Sequence, residues 1–187
     1  MLFNEICAVM LNNRAKKDSQ KVLEALGIHA GDSIADIGSG GGYFTLELAK
    51  RVGTSGIVFA ADTNKKLLAR IENILRKSQI SNVKTVVCSE DGCPLRNESC
   101  DLIFMRNVFH HIKDPVSYFT RLGESVKPGG RIAIVDWKHT GRGFVSRTGH
   151  ATPEAEILKI MLKAEFAHLQ AFNFLPDQSF HIFRKNA

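Results

Sequence analysis

Three consecutive glycines, Gly40 to Gly42, stand where a short apolar run gives way to a helical pattern, and they constrain this chain more than any other stretch. The run from Ser33 to Ile37 reads as a strand. Tyr43 to Val52 reads as a helix with Phe44, Leu48 and Val52 inward and Gly53 as its stop. A chain that turns this sharply between strand and helix needs backbone torsions that glycine adopts without penalty, and bare backbone lets a ligand come close.

The dinucleotide fingerprint G-x-G-x-x-G asks for a glycine three positions after Gly40, where this chain has Tyr43. Gly38, Gly40 and Gly42 instead follow G-x-G-x-G, and Asp36 precedes the first of them by two positions. A carboxylate beside the loop repels a pyrophosphate and suits a ligand that carries positive charge. The plain alternative is a tight turn without a ligand. The next strand, Gly56 to Asp62, is almost wholly apolar, as in a parallel sheet covered on both faces. It closes on Asp62, about 20 residues past the loop, where an acid holds a ribose diol by paired hydrogen bonds. Asp62 also suits the positive end of the helix that follows.

The rest of the chain alternates in the same manner. Val22, Leu23 and Leu26 share one face of a helix that Gly27 ends, before the first strand. Asn64 to Lys77 reads as a helix, Val83 to Cys88 as a strand and Asp101 to Met105 as another. Asp114 as N-cap and Pro115 at the first turn open a helix carrying Val116, Phe119, Leu122 and Val126. Lys127-Pro-Gly-Gly-Arg then turns the chain into a strand from Ile132 to Trp137. Lys138 to His150 reads as a loop, and Thr152 and Pro153 cap a helix to about Lys163 that buries Ile157, Leu158, Met161 and Leu162. Phe166 to Phe174 and Gln178 to Lys185 complete the strands. No repeat or linker interrupts the pattern, so residues 1–187 read as one domain: a helical leader to 30, a ligand-binding core over 31–137, and an acceptor-side segment over 138–187.

These segments resemble the class I S-adenosylmethionine-dependent methyltransferases. The loop around Gly38–Gly42 looks like their first motif, and Asn-Val-Phe-His-His-Ile-Lys-Asp-Pro (Asn107 to Pro115) with Val-Lys-Pro-Gly-Gly-Arg (Val126 to Arg131) resembles the type-11 and ubiquinone/menaquinone-biosynthesis-like branch. The resemblance covers about residues 20–137. It implies a Rossmann-like, doubly wound α/β fold with helices on both faces of a seven-stranded sheet, ordered 3-2-1-4-5-7-6 with an antiparallel last strand. It also implies S-adenosylmethionine as cofactor and S-adenosylhomocysteine as product. The implied cofactor-binding set is Asp36, Gly38, Ser39, Gly40, Gly42, Asp62, Thr63, Glu90, Asp91, Gly92, Arg106 and Asn107. Within Ser89 to Leu95, Asp91 is the candidate for the adenine amino group, with Glu90 as rival.

Ligands of open α/β sheets sit beyond the carboxyl ends of the strands, which puts Arg106, Asn107, His110 and His111 near the transferred methyl group. Histidine is the side chain suited to accept a proton near neutral pH. The catalytic candidates are therefore His110 before His111, together with Asn107; the alternative is that the His-His pair only opens a helix. No Asn/Asp-Pro-Pro-Tyr/Phe follows the fourth strand, which argues against methylation of planar exocyclic amines by that motif.

Composition narrows the partners. A net charge of +6 comes from basic residues scattered through the chain, Arg142 and Arg147 among them, and reads first as a solvated surface. A nucleic-acid partner is permitted but not favoured. No apolar run reaches the ~20 residues of a membrane span, and Met1 to Leu11 lacks the basic start of a secretory signal, so a cytoplasmic protein is expected. Cys7, Cys88, Cys93 and Cys100 form no C-x-x-C pair, so thiols and no metal site are expected. The expected function is methyl transfer to a small molecule. RNA or protein methylation and a non-catalytic nucleotide-binding or S-adenosylmethionine-binding module are the alternatives. The leader and the 138–150 loop, or the second subunit of a homodimer, would complete the acceptor pocket.

Overall fold

In the computed structural model, which describes residues 10, 12, 13, 16, 18–138 and 151–186, seven strands form one sheet in the order β3-β2-β1-β4-β5-β7-β6. The strands are β1 (Ser33–Ile37), β2 (Ile57–Asp62), β3 (Val83–Val87), β4 (Cys100–Arg106), β5 (Val126–Trp137), β6 (Phe166–Phe172) and β7 (Gln178–Lys185). β7 runs antiparallel to both β5 and β6, whereas β1 with β2, β2 with β3 and β4 with β5 are parallel. The helices are α1 (Ser19–Ala25), α2 (Tyr43–Val52), α3 (Lys65–Lys77), α4 (Pro115–Gly123) and α5 (Glu154–Lys163). This is the Rossmann-like methyltransferase order expected from the sequence. The chain divides after Ser89 into two compact units.

In the first unit β1 is buried along its whole length, as the central position of a parallel sheet requires. α2 covers it with Phe44, Leu48 and Val52, and α3 adds Leu67, Leu68 and Ile71, all buried. Asn64 caps α3 by accepting N–H bonds from Lys66 and Leu67 at 3.0 and 3.4 Å. Asn82 anchors the chain entering β3, donating to the Ala49 and Gly53 carbonyls, each at 2.8 Å.

In the second unit Phe104, Phe119, Phe166, Phe180 and Phe183 are fully buried and fill the core. Asp114 caps α4 as expected, accepting from the Ser117 N–H at 3.2 Å. Three local expectations need correction. Val126 belongs to β5 and not to α4, because β5 starts six residues before Ile132. Lys127–Gly130 is carried inside that strand as an irregularity where the β4 register shifts, with Gly129 at φ 78°. Thr152 makes no cap; α5 starts after Pro153 without a side-chain cap. Leu162 is 68% exposed, while Ile157 and Met161 are fully buried. Cys88 and Cys93 are each disulfide-bonded, against the expectation of thiols, since spacing in the sequence does not report disulfide bonding. Cys100 is a buried free thiol, and burial pushes it above the usual thiol range. The expected loop at 138–150 lies, beyond Lys138, outside the described residues, as do Arg142 and Arg147.

Candidate functional site

The first unit builds its candidate site largely from backbone. Beyond Ile37 the chain reverses through Gly38, Gly40 and Gly42 at φ 73°, 53° and 84°, torsions that L side chains resist. The N–H groups of Gly38 and Ser39 both donate to the Ala61 carbonyl, at 2.8 and 3.0 Å, and fasten the loop to β2. A Cβ at Gly42 would lie 2.9 Å from Ile71 Cγ1, so any side chain there would have to displace Ile71 of α3.

Asp62 braces the turn. Its Oδ2 accepts the Gly40 N–H at 2.9 Å and its Oδ1 accepts the Asn64 N–H at 2.8 Å. Asp36 is 3% exposed and accepts a 2.6 Å hydrogen bond from Thr45 Oγ1 on α2. Burial raises its carboxyl to about 7; the Thr45 bond opposes that rise and the neighbouring Asp62 charge adds to it. Ser39 Oγ is buried and has no hydrogen-bond partner among the described residues. The Gly41 carbonyl accepts from Asn12 Nδ2 and Arg70 Nη1, each at 3.1 Å, and Tyr43 OH lies 2.8 Å from Ser19 Oγ. Asn12 thus brings one described residue of the leader onto the loop itself. Thr63 is exposed at the end of β2.

The second unit builds its candidate site from side chains. Asn107 follows β4 with φ 58°, a left-handed torsion that asparagine tolerates, and donates its N–H to the Val135 carbonyl at 2.8 Å. Arg106 Nη2 donates to Gln178 Oε1 at 2.8 Å, and Gln178 Nε2 donates to Asn107 Oδ1. Phe109–His111 is a single 3₁₀ turn. His110 and Asp136 are closely paired. Asp136 is fully buried; its Oδ2 accepts the His110 backbone N–H at 2.9 Å, and its Oδ1 accepts the Trp137 N–H at 2.8 Å. The same Oδ1 lies 2.7 Å from His110 Nδ1, and the His110 side chain is 5% exposed. His111 is exposed, its ring 4.0 Å from that of His110.

Glu90 and Asp91 are exposed. Glu90 pairs with Lys113 at 2.6 Å, an interaction that lowers its carboxyl below the usual range, and the Asp91 backbone carbonyl accepts from Arg121 Nη2. Gly92 is half-buried beside them. Two participants escaped sequence reasoning. Asp136 had a signal, an acid near the end of the apolar run Ile132 to Trp137. Gln178, the first residue of β7, had none. Among the described residues no cluster of histidine, cysteine and acids could hold a metal, and no helix is long and apolar enough to cross a membrane.

Comparison with known proteins accords with this architecture. Residues 28–173 match the model of the methyltransferase domain family. The chain is 26% identical over 112 residues to a ubiquinone/menaquinone biosynthesis C-methyltransferase of Marinomonas sp., covering 59% of this chain and 45% of that protein. It is 23% identical over 156 residues to the protein of the same description from Cellvibrio japonicus, covering 83% and 62%. The chain therefore spans about half of the length of these curated relatives. A solved S-adenosylmethionine-dependent methyltransferase from Aquifex aeolicus superposes with a TM-score of 0.86 at 25% identity, covering 94% of this chain and 95% of that one. With the glycine loop, the acid closing β2 and the strand order all in the same pattern, the chain belongs to the methyltransferase domain family, of the class I, S-adenosylmethionine-dependent type.

Proposed function

We propose that this chain binds S-adenosylmethionine and transfers its methyl group to a small-molecule acceptor, with the ring of an isoprenoid-quinone precursor as the first choice. The observation that carries the reading is the set Asp36, Ser39 and Asp62 around the glycine loop. Asp62 uses each carboxylate oxygen for one backbone N–H, which leaves a further lone pair on each for a ribose diol. Asp36, desolvated and easily protonated, gains from a cationic ligand group that keeps it ionised. The buried Ser39 hydroxyl lacks a partner that a polar ligand can supply. The chemistry of these groups fits a ligand with hydroxyls and positive charge and no phosphate.

When bound, S-adenosylmethionine supplies an electrophilic methyl group on a sulfonium. The residues then have to orient and desolvate the acceptor, and orientation alone is worth on the order of 7 to 11 kcal/mol. Ring methylation in particular is favoured by the two relatives, both described as C-methyltransferases of quinone biosynthesis. The family match runs without a break across residue 89, which supports treating both units as one methyltransferase domain. The cytoplasmic location expected from the sequence goes with this proposal.

Isothermal titration with S-adenosylmethionine, S-adenosylhomocysteine and NAD tests it. Micromolar affinity for the first two and none for NAD is expected, and Asp62→Ala should weaken binding about 100-fold by freeing the loop and losing the diol contact. A folded protein that ignores both sulfur ligands would remove the reading.

A further inference from the structure

We propose that Asp136 is a positioning residue that makes His110 a base acting through Nε2. The acceptor is then a molecule that must shed a hydroxyl proton before it attacks, a phenol or enol whose anion attacks through its carbon, and not a thioether or aromatic amine that already offers its lone pair. This rests on the methyltransferase reading and narrows its substrate class.

The argument is one of donors and acceptors. A carboxylate only accepts hydrogen bonds. The two backbone N–H groups of His110 and Trp137 fix its plane, at 2.9 and 2.8 Å, and the 2.7 Å contact to His110 Nδ1 requires that this nitrogen carry the hydrogen. The neutral imidazole is thereby held with its lone pair on Nε2. An Asp136 buried to 0% exposure beside a ring exposed by 5% adds a second effect: an imidazolium formed on His110 meets a fixed negative charge at contact distance, in a medium that screens it poorly. A histidine that only opens a turn needs neither the buried carboxylate nor three donors on it. A thioether or aromatic amine offers its lone pair at neutral pH without a base, whereas a phenol has to lose its proton before attack. The step is a proton transfer alone. The acceptor O–H bond breaks, its electron pair stays on the oxygen, and the proton forms the Nε2–H bond of a His110 imidazolium whose Nδ1–H remains on Asp136.

Replacing Asp136 by Asn makes the tautomer the readout. The two backbone N–H groups need the amide oxygen, which turns the NH₂ toward His110 Nδ1 and moves the ring hydrogen to Nε2. The test uses the full chain, labelled with ¹⁵N and saturated with S-adenosylhomocysteine, and reads the ring nitrogens of His110, assigned with His110→Gln. The wild type should carry hydrogen on Nδ1 with Nε2 bare, and Asp136→Asn should reverse them. Transfer of a labelled methyl group to 1,4-naphthohydroquinone should fall at least about 1,000-fold in Asp136→Asn, as wrong-tautomer variants of other His–Asp pairs do, with S-adenosylhomocysteine affinity kept within about threefold. Should Asp136→Asn not fold, His110→Gln must give the same loss. A wild-type ring with its hydrogen on Nε2, a tautomer indifferent to Asp136→Asn, or methylation of an aromatic amine probe in preference to the hydroquinone overturns the proposal. Failure of the wild type to bind S-adenosylhomocysteine overturns the methyltransferase reading instead, whichever tautomer is found.

Discussion

The two units solve the problem of presenting polar groups to a ligand in different ways. The first uses neighbours in sequence: five residues from Gly38 to Gly42 reverse the chain, and one acid, Asp62, ties the loop to the strand beside it. The second uses side chains gathered from far apart, Arg106 and Asn107 with Gln178, and His110 with Asp136. A backbone cradle is set by torsion and fails when a Cβ enters it. A side-chain cluster is set by register between strands and fails when one partner is truncated. The first should therefore lose stability and cofactor binding together, and the second should lose turnover alone.

The largest expected effect sharpens the one exception in the first unit, where a buried side chain carries charge. The Asp36 carboxyl is raised from 3.8 to about 7. Between those values the folded state holds the proton that the unfolded state has released, so its contribution is fully present below about pH 4 and is lost as pH rises through about 7. A shift of this size corresponds to about 4 kcal/mol at most. Denaturant unfolding of the wild type against Asp36→Asn from pH 4 to 8 should show the wild type losing more stability by several kcal/mol. Parallel pH curves would mean that Asp36 is not desolvated.

Next in size, Gly42→Ala should cost about 3 kcal/mol, from the left-handed torsion and the approach to Ile71, and should weaken S-adenosylmethionine binding in the same variant. A stable Gly42→Ala that binds normally breaks the view of the loop as a torsion-defined cradle. The smallest effect lies in the second unit. Gln178→Ala removes an acceptor from Arg106 and a donor from Asn107, and should lower turnover about tenfold while leaving titrated cofactor affinity within about twofold. An equal loss of both would show that the contrast between the units is not one of binding against turnover.

Much of this was legible in advance because it depends on local rules. The strand and helix alternation, the cap at Asp114 and the acid closing β2 were read from periodicity and short-range chemistry. Where the reading failed, a nonlocal cause was at work. Val126 has helical spacing from Leu122, yet sheet pairing with Cys100 claims it for β5. Leu162 fits the apolar face of α5, yet none of the described residues covers it and it stays 68% exposed. The Glu90 to Gly92 segment follows β3 as expected, with Glu90 paired to Lys113 and the Asp91 backbone carbonyl accepting from Arg121.

Sequence alone determined the α/β class, the glycine loop and the candidacy of Asp36, Asp62 and His110, since a torsion, a strand end or a helix cap needs only a few consecutive residues. Tertiary structure decided what those groups are chemically. Burial is a property of everything around a residue, and it turned Asp36 from an ordinary carboxylate into one that protonates at about 7. Pairing across the sheet is likewise set by distant residues. It alone brought β7 against β5, opposing Gln178 to Trp137, while the sequence separation of 26 between Asp136 and His110 gave no hint that they share a hydrogen bond.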